Sequence, residues 1–387
     1  MIASFKIENF TVFEKLELGL SPRINVIIGN NGTGKTHLLK AIYALSRQNG
    51  TGISTKKSAT NLADDFLRLF MPNGNKLNAL HADGADNGAH ILLKRSDETS
   101  VKVDFNNRST SLKIEGDIPQ TKPGPEPVFI PTKEVLSLVS GLRNSKHDLA
   151  TIEMIFDGTY VDLAKQLVQK GADDNSQSLE IDPRFSSVVR ELVDLVGGRY
   201  KLDQNGGFLF EAGKYVEKAK PDRSQSKAGQ MYQDSTVTRF SPTGRNALSS
   251  NMTAEGFRKV GMLHRLLCNG VIAPGDDTPL IWDEPESNLN PKLMKQLVQA
   301  LLELSRNGQQ IILATHDYVL LKWFDLLMDK GKEDHIRFHV LGKNETAKGV
   351  HVTSTDEYSQ LRKNAISNTV AELYDAEIER SLGGAPA

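Results

Sequence analysis

The sequence predicts an α/β fold in which a parallel sheet is covered on both faces and a mainly helical segment is inserted into the middle of the chain. Three observations carry this expectation. Short apolar runs rich in β-branched residues stand at 24–28 (INVII), 128–131 (VFIP), 279–282 (PLIW) and 309–315 (QQIILAT), without the polar alternation of a half-solvated strand. Segments of helical periodicity follow them, as parallel strands joined by crossover helices require. Between 133 and 250 that alternation lapses, and a helical pattern gives way to polar residues around an Asn205-Gly206 turn.

Taken in order, residues 1–50 read as strand, turn, strand, loop and helix. Strand 24–28 ends at Gly29, and in THLLKAIYALS the residues Leu38, Leu39, Ile42 and Leu45 share one helical face until Asn49-Gly50 stops it. Residues 51–90 read as irregular, with one short helix near 62–70. HILLKRS, SVKVDF and SLKIE alternate as antiparallel strands. The prolines of TKPGPEP separate them from VFIP. Residues 133–196 are mostly helical in pattern. After Met252 come a helix, the PLIW strand, a helix from Pro291 to Arg306, the QQIILAT strand and a helix from Asp317. RFHVL and GVHVT pair as strands, and a helix near 357–382 finishes the chain. No repeat of 20 to 50 residues and no sustained heptad pattern is visible.

Composition narrows the function class mainly by exclusion. The chain has 387 residues, 39% hydrophobic and 25% charged, which suits a globular protein of one large or two coupled units. Lysine and arginine number 47 against 48 acidic residues, so no net charge advertises nucleic acid or an anionic membrane. A single cysteine, Cys268, excludes an internal disulfide framework and a multi-cysteine zinc site, and a reducing cytoplasmic setting is expected. No signal-like stretch opens the chain and no apolar run approaches 18 residues, so no membrane partner is expected.

The chemistry is concentrated in three places. The octet Gly29-Asn30-Asn31-Gly32-Thr33-Gly34-Lys35-Thr36 matches G-x-x-x-x-G-K-[ST] between a buried strand and a helix. Its glycines let backbone N–H groups curl around phosphates where a Cβ would collide, and the helix turns its positive end toward them. Lys35 supplies a mobile charge for the β- and γ-phosphates, and the hydroxyl of Thr36 is placed to hold Mg2+. In TPLIWDEPESNLNP, Asp283 and Glu284 stand at the C-terminal end of an apolar strand, the edge where open parallel sheets bind ligands. Asp283 is expected to hold the magnesium and Glu284 to polarise an attacking water. His316 ends the next strand on the same edge, with Asp317 placed to cap the following helix.

Phosphate loop, hydrophobic-Asp-Glu-Pro, a short Ser-x-Leu-x-Pro element and a strand-end histidine follow the order of ABC-type ATPase heads. The stretch IENFTVFEKLELGLSPRINVIIGNNGTGKTHLLKAI resembles the SMC, RecF and OLD-nuclease branch of that class. DEPESNLNP together with ATHDY is similar to the stand-alone prokaryotic AAA-15/AAA-21-type ATPases, many of which occur in antiphage defence systems. The resemblance covers about residues 1–50 and 250–345. It implies a P-loop NTPase with an ABC-ATPase head, a mixed sheet flanked by helices, built from residues 1–132 and 251–387. The inserted lobe, 133–250, is then mainly helical with a β-hairpin.

Carried over, the resemblance makes Ser287 to Pro291 the loop that crosses a dimer seam and His316 the switch histidine. A signature element, which in the family caps the γ-phosphate of the opposite subunit, falls at Thr253-Ala254-Glu255-Gly256-Phe257-Arg258-Lys259. Ala254, Glu255 and Gly256 are then nucleotide contacts. Ala254 stands where the family has serine, so the contact falls to backbone N–H groups near Gly256, the helix end or Thr253, and an ordinary helix N-terminus is the alternative. The Q-loop position falls at Thr132 or Lys133, and no glutamine stands there.

The implied activity is Mg2+-dependent ATP hydrolysis by an ATP-sandwiched homodimer, or a multiple of dimers. It would serve as sensor or regulator of a separate effector protein such as a nuclease, in prokaryotic, antiviral defence. The alternative is a RecF- or SMC-like repair or recombination ATPase that binds DNA. Its basic stretch would be Lys214, Lys218, Lys220, Arg223 and Lys227, diluted by Glu217 and Asp222. A transporter nucleotide-binding subunit ranks below both, because the insertion is large and no Ser-Gly-Gly-Gln signature occurs. No nuclease activity is expected in this chain: 71 residues follow His316 in a chain of 387, and no Asp-x-Asp pair is present.

Overall fold

The computed structural model describes residues 1–48, 56–116, 125–144, 155–170, 182–219, 236–244, 246–275, 277–343, 349–361 and 365–382. Contacts divide the chain into two compact units. One comprises Met1–Thr132, His147–Leu163 and Gly275–Ala387, and the other Lys133–Lys146 and Ala164–Pro274. The second unit therefore includes residues 251–274, which the sequence groups with the ATPase head.

The first unit holds two sheets. Strands β1 (Ile2–Phe10), β2 (Phe13–Gly19), β4 (Ala89–Arg95), β5 (Ser100–Phe105) and β6 (Lys113–Gly116) form an antiparallel sheet of order β2-β1-β4-β5-β6. Their burial alternates, as in SVKVDF, so one face is apolar and the other carries charge. The second sheet has the order β15-β14-β3-β13-β12-β7, from β3 (Ile24–Gly29), β7 (Val128–Ile130), β12 (Leu280–Asp283), β13 (Ile311–Thr315), β14 (Ile336–Lys343) and β15 (Val350–Thr355). Every pairing from β7 to β14 is parallel, and β15 adds an antiparallel edge. All residues of β3, β7, β12 and β13 are buried, which is why these strands read as unbroken apolar runs. Where the sequence suggests two strands before the first helix there are three, because β1 and β2 form a hairpin in the antiparallel sheet.

Helix α1 (Lys35–Ser46) touches β4 of one sheet and β3, β12 and β13 of the other. Ala41, Tyr43 and Ala44 are buried along with the face of Leu38, Leu39, Ile42 and Leu45, because the helix has apolar neighbours on both sides. Helix α2 (Lys56–Phe70) is longer than the sequence suggests and adds Leu62, Phe66 and Leu69 to the same core. The Asn49-Gly50 stop lies outside the described residues.

The second unit contains α3 (Val139–Asn144), the end of α4 (Gly158–Leu167), α5 (Pro183–Val196) and α6 (Glu255–Cys268). The turn at Asn205-Gly206, with Gly206 at φ 80°, joins β8 (Gly198–Leu202) to β9 (Phe208–Ala219). This hairpin belongs to a four-stranded sheet completed by β10 (Thr236–Pro242) and β11 (Leu248–Ser249). Helix α6 lies close on β8: a Cβ at Gly261 would sit 2.2 Å from Cδ2 of Tyr200. Of the basic stretch, Lys214 and Lys218 lie on β9, and Lys220, Arg223 and Lys227 lie outside the described residues.

Back in the first unit, α7 (Pro291–Arg306) and α8 (Tyr318–Leu327) follow β12 and β13, and α9 (Ala365–Ser381) comes last. Asn290 accepts from the Lys292 N–H at the start of α7, with Pro291 in the first turn, and Asp317 accepts from Leu320 N–H at the start of α8. Among the described residues no helix is long and apolar enough to cross a membrane.

Candidate active site

The phosphate loop leaves β3 at Gly29 and enters α1 at Lys35. Gly32 and Gly34 have φ of 76° and 84°, a region that strains any residue with a Cβ. At Gly34 the space is closed as well, since a Cβ would lie 2.6 Å from Val12 Cγ2 and 2.7 Å from Phe13 Cζ. Asn30 and Asn31 are exposed at the loop's tip, while Thr33 is buried and donates to the Asn30 carbonyl at 2.9 Å. The Lys35 ammonium donates to the Gly29 carbonyl at 2.7 Å and the Asn30 carbonyl at 3.3 Å, so it is held across the loop's mouth. Burial lowers its pKa, and Glu284, Asp283 and Glu286 pull it back up.

Across the sheet edge, β12 delivers Asp283 to the start of α1. Asp283 Oδ2 accepts from the Thr36 hydroxyl at 2.8 Å and from the Thr132 hydroxyl at 3.1 Å. The other oxygen, Oδ1, is buried with no hydrogen-bond partner, and burial raises the carboxyl's pKa against the pull of the two hydroxyls. A buried carboxylate oxygen left unpaired beside a threonine hydroxyl suits a hard divalent cation such as Mg2+, bound directly or through water. Among the described residues no group of three His, Cys, Asp or Glu side chains could hold a metal ion. Thr36 and Asp283 would then be the protein's share of such a site, with water and nucleotide phosphate oxygens filling the rest of the shell.

Glu284 has φ 48°, unusual for a residue with a side chain, and its N–H is bonded to the Ala314 carbonyl at 2.9 Å. Its Oε1 lies 3.0 Å from His316 Nδ1. The imidazole is 48% exposed and the Glu284 side chain 23%, so both are open to a ligand while Asp283 is buried behind them. Glu286, also buried, accepts from the Thr315 hydroxyl at 2.7 Å and the His316 N–H at 3.3 Å.

The structure thus gathers Lys35, Thr36, Asp283, Glu284 and His316 at one edge of the parallel sheet, beside the loop Asn30 to Gly34. Ala254, Glu255 and Gly256 belong to the second unit, at the start of α6, where Ala254 is the N-cap without a side-chain cap bond. Thr253 gives its hydroxyl proton to the Ser250 carbonyl at 2.7 Å and lies 2.7 Å from the Tyr200 hydroxyl.

Two further residues stand beside the motif groups. Thr132, one of the two candidates for the Q-loop position, lies beside Asp283. Its carbonyl also accepts from the Ser287 hydroxyl at 3.0 Å. Besides the family order, a hydroxyl just after an apolar strand is the signal the sequence offers for it. Glu286 could have been noticed as the third acid of DEPES, but an acid after a proline reads equally well as a solvated turn.

Comparison with known proteins bears on the family and the fold. Residues 24–322 match the AAA_21 family, described as "AAA domain, putative AbiEii toxin, Type IV TA system". The DNA replication and repair protein RecF of Actinobacillus pleuropneumoniae serotype 5b (strain L20) is 38% identical over 107 residues, covering 25% of each chain. RecF of Lactobacillus johnsonii is 26% identical over 152 residues, 39% of this chain and 36% of that protein. The chain spans between 18% and 36% of the length of curated RecF relatives such as these. Among solved structures, an SMC head bound to the C-terminal winged-helix domain of ScpA superposes with a TM-score of 0.51 at 12% identity. That superposition covers 93% of this chain and 99% of the other, a likeness of fold. With its ABC-type head fold of the SMC/RecF branch, the chain belongs to the AAA_21 family of ATPase domains.

Proposed function

We propose that the protein hydrolyses ATP in a Mg2+-dependent reaction at the edge formed by the phosphate loop, β12 and β13. The arrangement of Glu284 and His316, 3.0 Å apart beside a loop whose lysine spans its mouth, carries this reading. Backbone N–H groups of Asn31 to Lys35 and the Lys35 ammonium would bind the β- and γ-phosphates, and α1 would direct its positive end at them. Thr36 and Asp283 would hold the magnesium, which when bound neutralises charge on the β- and γ-phosphates. Glu284 accepts the proton of the attacking water as it closes on the γ-phosphorus in line with the leaving oxygen. His316, fixed at Nδ1 by Glu284, keeps Nε2 for the transferred phosphoryl oxygens.

The site is read as one half of an ATP-sandwiched homodimer, in which Ala254, Glu255 and Gly256 of one copy face the γ-phosphate held by the other. Ser287 to Pro291 would form the loop at the seam. Glu284→Gln keeps the shape of the site and removes the base, so it should trap this dimer. Light scattering at saturating MgATP should give twice the monomer mass of 42.7 kDa. A persistent monomer would refute the sandwich.

At the level of biology, the first reading is a nucleotide-switched sensor or regulator of a separate effector in prokaryotic defence; the family's description as a putative toxin of a type IV toxin–antitoxin system supports the setting, while the separate effector is part of the proposal. The RecF matches favour a second reading, an ATPase acting on DNA in repair or recombination. Hydrolysis rates with and without duplex DNA across a salt series separate the two. Stimulation that fades with salt supports DNA action, and its absence supports the effector reading.

A further inference from the structure

We infer that Glu286 is a positioning residue for the proposed hydrolysis: it holds the strand-end histidine, His316, in the orientation and tautomer that the reaction needs. The inference rests on the reading of Glu284 and His316 as hydrolytic groups, and adds a residue that acts through the histidine.

The turn after β12 brings Glu286 back under the end of β13. Ser287 N–H donates to the Glu284 carbonyl at 3.1 Å and Leu289 N–H to the Glu286 carbonyl at 3.0 Å, so the turn is closed on both sides of Glu286. From there a single oxygen, Oε1, accepts from two consecutive residues, the Thr315 hydroxyl at 2.7 Å and the His316 N–H at 3.3 Å. Thr315 Oγ1 in turn accepts from Asp317 N–H at 3.0 Å, and Asp317 Oδ1 from Leu320 N–H at 2.7 Å. A chain of bonds thus runs from the carboxylate loop through Thr315 and Asp317, the residues on either side of the histidine, to the first turn of α8, and the His316 N–H is tied to the same Glu286 oxygen.

The ring itself is bonded by Glu284, and Glu286, which fixes the backbone that carries the ring, adds its charge on the same side from beyond hydrogen-bond distance. His316 Nδ1 has Glu284 Oε1 at 3.0 Å and Glu286 Oε1 at 3.7 Å, and an ionised carboxylate only accepts hydrogen bonds. Nδ1 therefore carries a proton, and Nε2 is the ring atom left to face a phosphoryl group. Glu286 is buried and its Oε2 has no hydrogen-bond partner, an arrangement that burial makes costly for the ionised form. A site built only for packing would have no need of a carboxylate here.

Three variants test this. Glu286→Gln keeps an acceptor oxygen, Glu286→Ala removes it, and Thr315→Val removes one donor without touching the carboxylate. Glu286→Ala is expected to lower kcat at least tenfold with KM for MgATP within about twofold of wild type, with Glu286→Gln restoring most of the rate and Thr315→Val falling between. Histidine 15N spectra of the nucleotide-free protein should show the Nδ1–H tautomer of His316 in wild type and a mixture in Glu286→Ala. The spectra decide the point even if the wild type binds ATP without hydrolysing it, an outcome that would fail the hydrolytic reading alone. Unchanged kcat and unchanged tautomer in Glu286→Ala overturn the inference. So does a Gln variant as impaired as Ala in both readouts. If Glu286→Ala does not fold, Glu286→Gln and Thr315→Val carry the same comparison, and wild-type tautomer and rate in Thr315→Val overturn it.

Discussion

His316 Nδ1 and Glu284 Oε1 stand 3.0 Å apart at the ends of two adjacent parallel strands, where β13 and β12 pair in register from Leu280 opposite Ile311 to Asp283 opposite Ala314. The sheet itself therefore sets the distance between the proposed base and the histidine, with neither carried on a long loop. His316→Ala should retain nucleotide affinity within about twofold and lose about 10- to 100-fold in hydrolysis rate, as expected for loss of one positioned polar group. Titration of a fluorescent ATP analogue against the steady-state rate checks the split.

Lys35 contributes to binding. Its ammonium gives two hydrogen bonds to loop carbonyls, and a triphosphate would replace them with stronger charge-assisted ones. Lys35→Ala should weaken ATP binding by about 1.5–3 kcal/mol, or roughly 10- to 150-fold in Kd. Gly34→Ala should do at least as much damage, because the added methyl meets Val12 and Phe13 at a φ of 84°. Isothermal titration with both variants is the check.

Stability without ligand should depend on pH in a direction set by Asp283. Burial raises its pKa above the ordinary 3.8, so the folded protein binds the proton more tightly than the unfolded chain does. Ionisation then opposes folding: the penalty is absent below about pH 3.8, grows as pH rises through the raised value and is complete above it. Asp283→Asn keeps an acceptor for Thr36 and Thr132 while removing the charge. It should raise the Tm of the nucleotide-free protein at pH 7 by a few degrees (about 2–4 °C per kcal/mol), with the gain shrinking toward pH 4. The same variant should lose the Mg2+ dependence of nucleotide binding. Differential scanning calorimetry across pH is the measurement.

Asp162 holds together the helices behind the site. It accepts from the Tyr43 hydroxyl at 3.1 Å, from Arg47 at 2.7 Å and from Arg68 through two nitrogens at 2.9 Å each. Asp162→Ala leaves two guanidinium groups in a largely buried pocket short of a partner, although Asp65 still reaches both. A loss of about 3–5 kcal/mol is expected from urea unfolding. A change under about 1 kcal/mol would show that the network is solvent-relaxed.

Much of the head was legible in the sequence because its strands are buried on both faces and so appear as uninterrupted apolar runs: INVII, VFIP, PLIW and IILAT all became strands of one sheet. The boundaries Pro291–Arg306 and Asp317 as a cap were readable because proline and a capping carboxylate mark helix starts locally. The hairpin at Asn205-Gly206 was legible, but the full length of β9 and the strand β10 were hidden, since YVEKA and TVTRF mix charged and apolar residues. Long-range contacts were also hidden. Nothing local says that Thr132 reaches Asp283 across 151 positions, or that Glu286 bonds the backbone of residue 316. Motifs reveal residues that touch the substrate, and tertiary contacts reveal those that hold them.

The most direct test of the account is phosphate release at saturating MgATP by the wild-type chain and by Glu284→Gln. Steady turnover by wild type, and a rate at least about 100-fold lower for Glu284→Gln at unchanged nucleotide affinity, is the predicted result. Equal rates for the two proteins would contradict it, because a base that can lose its carboxylate without consequence is not the base.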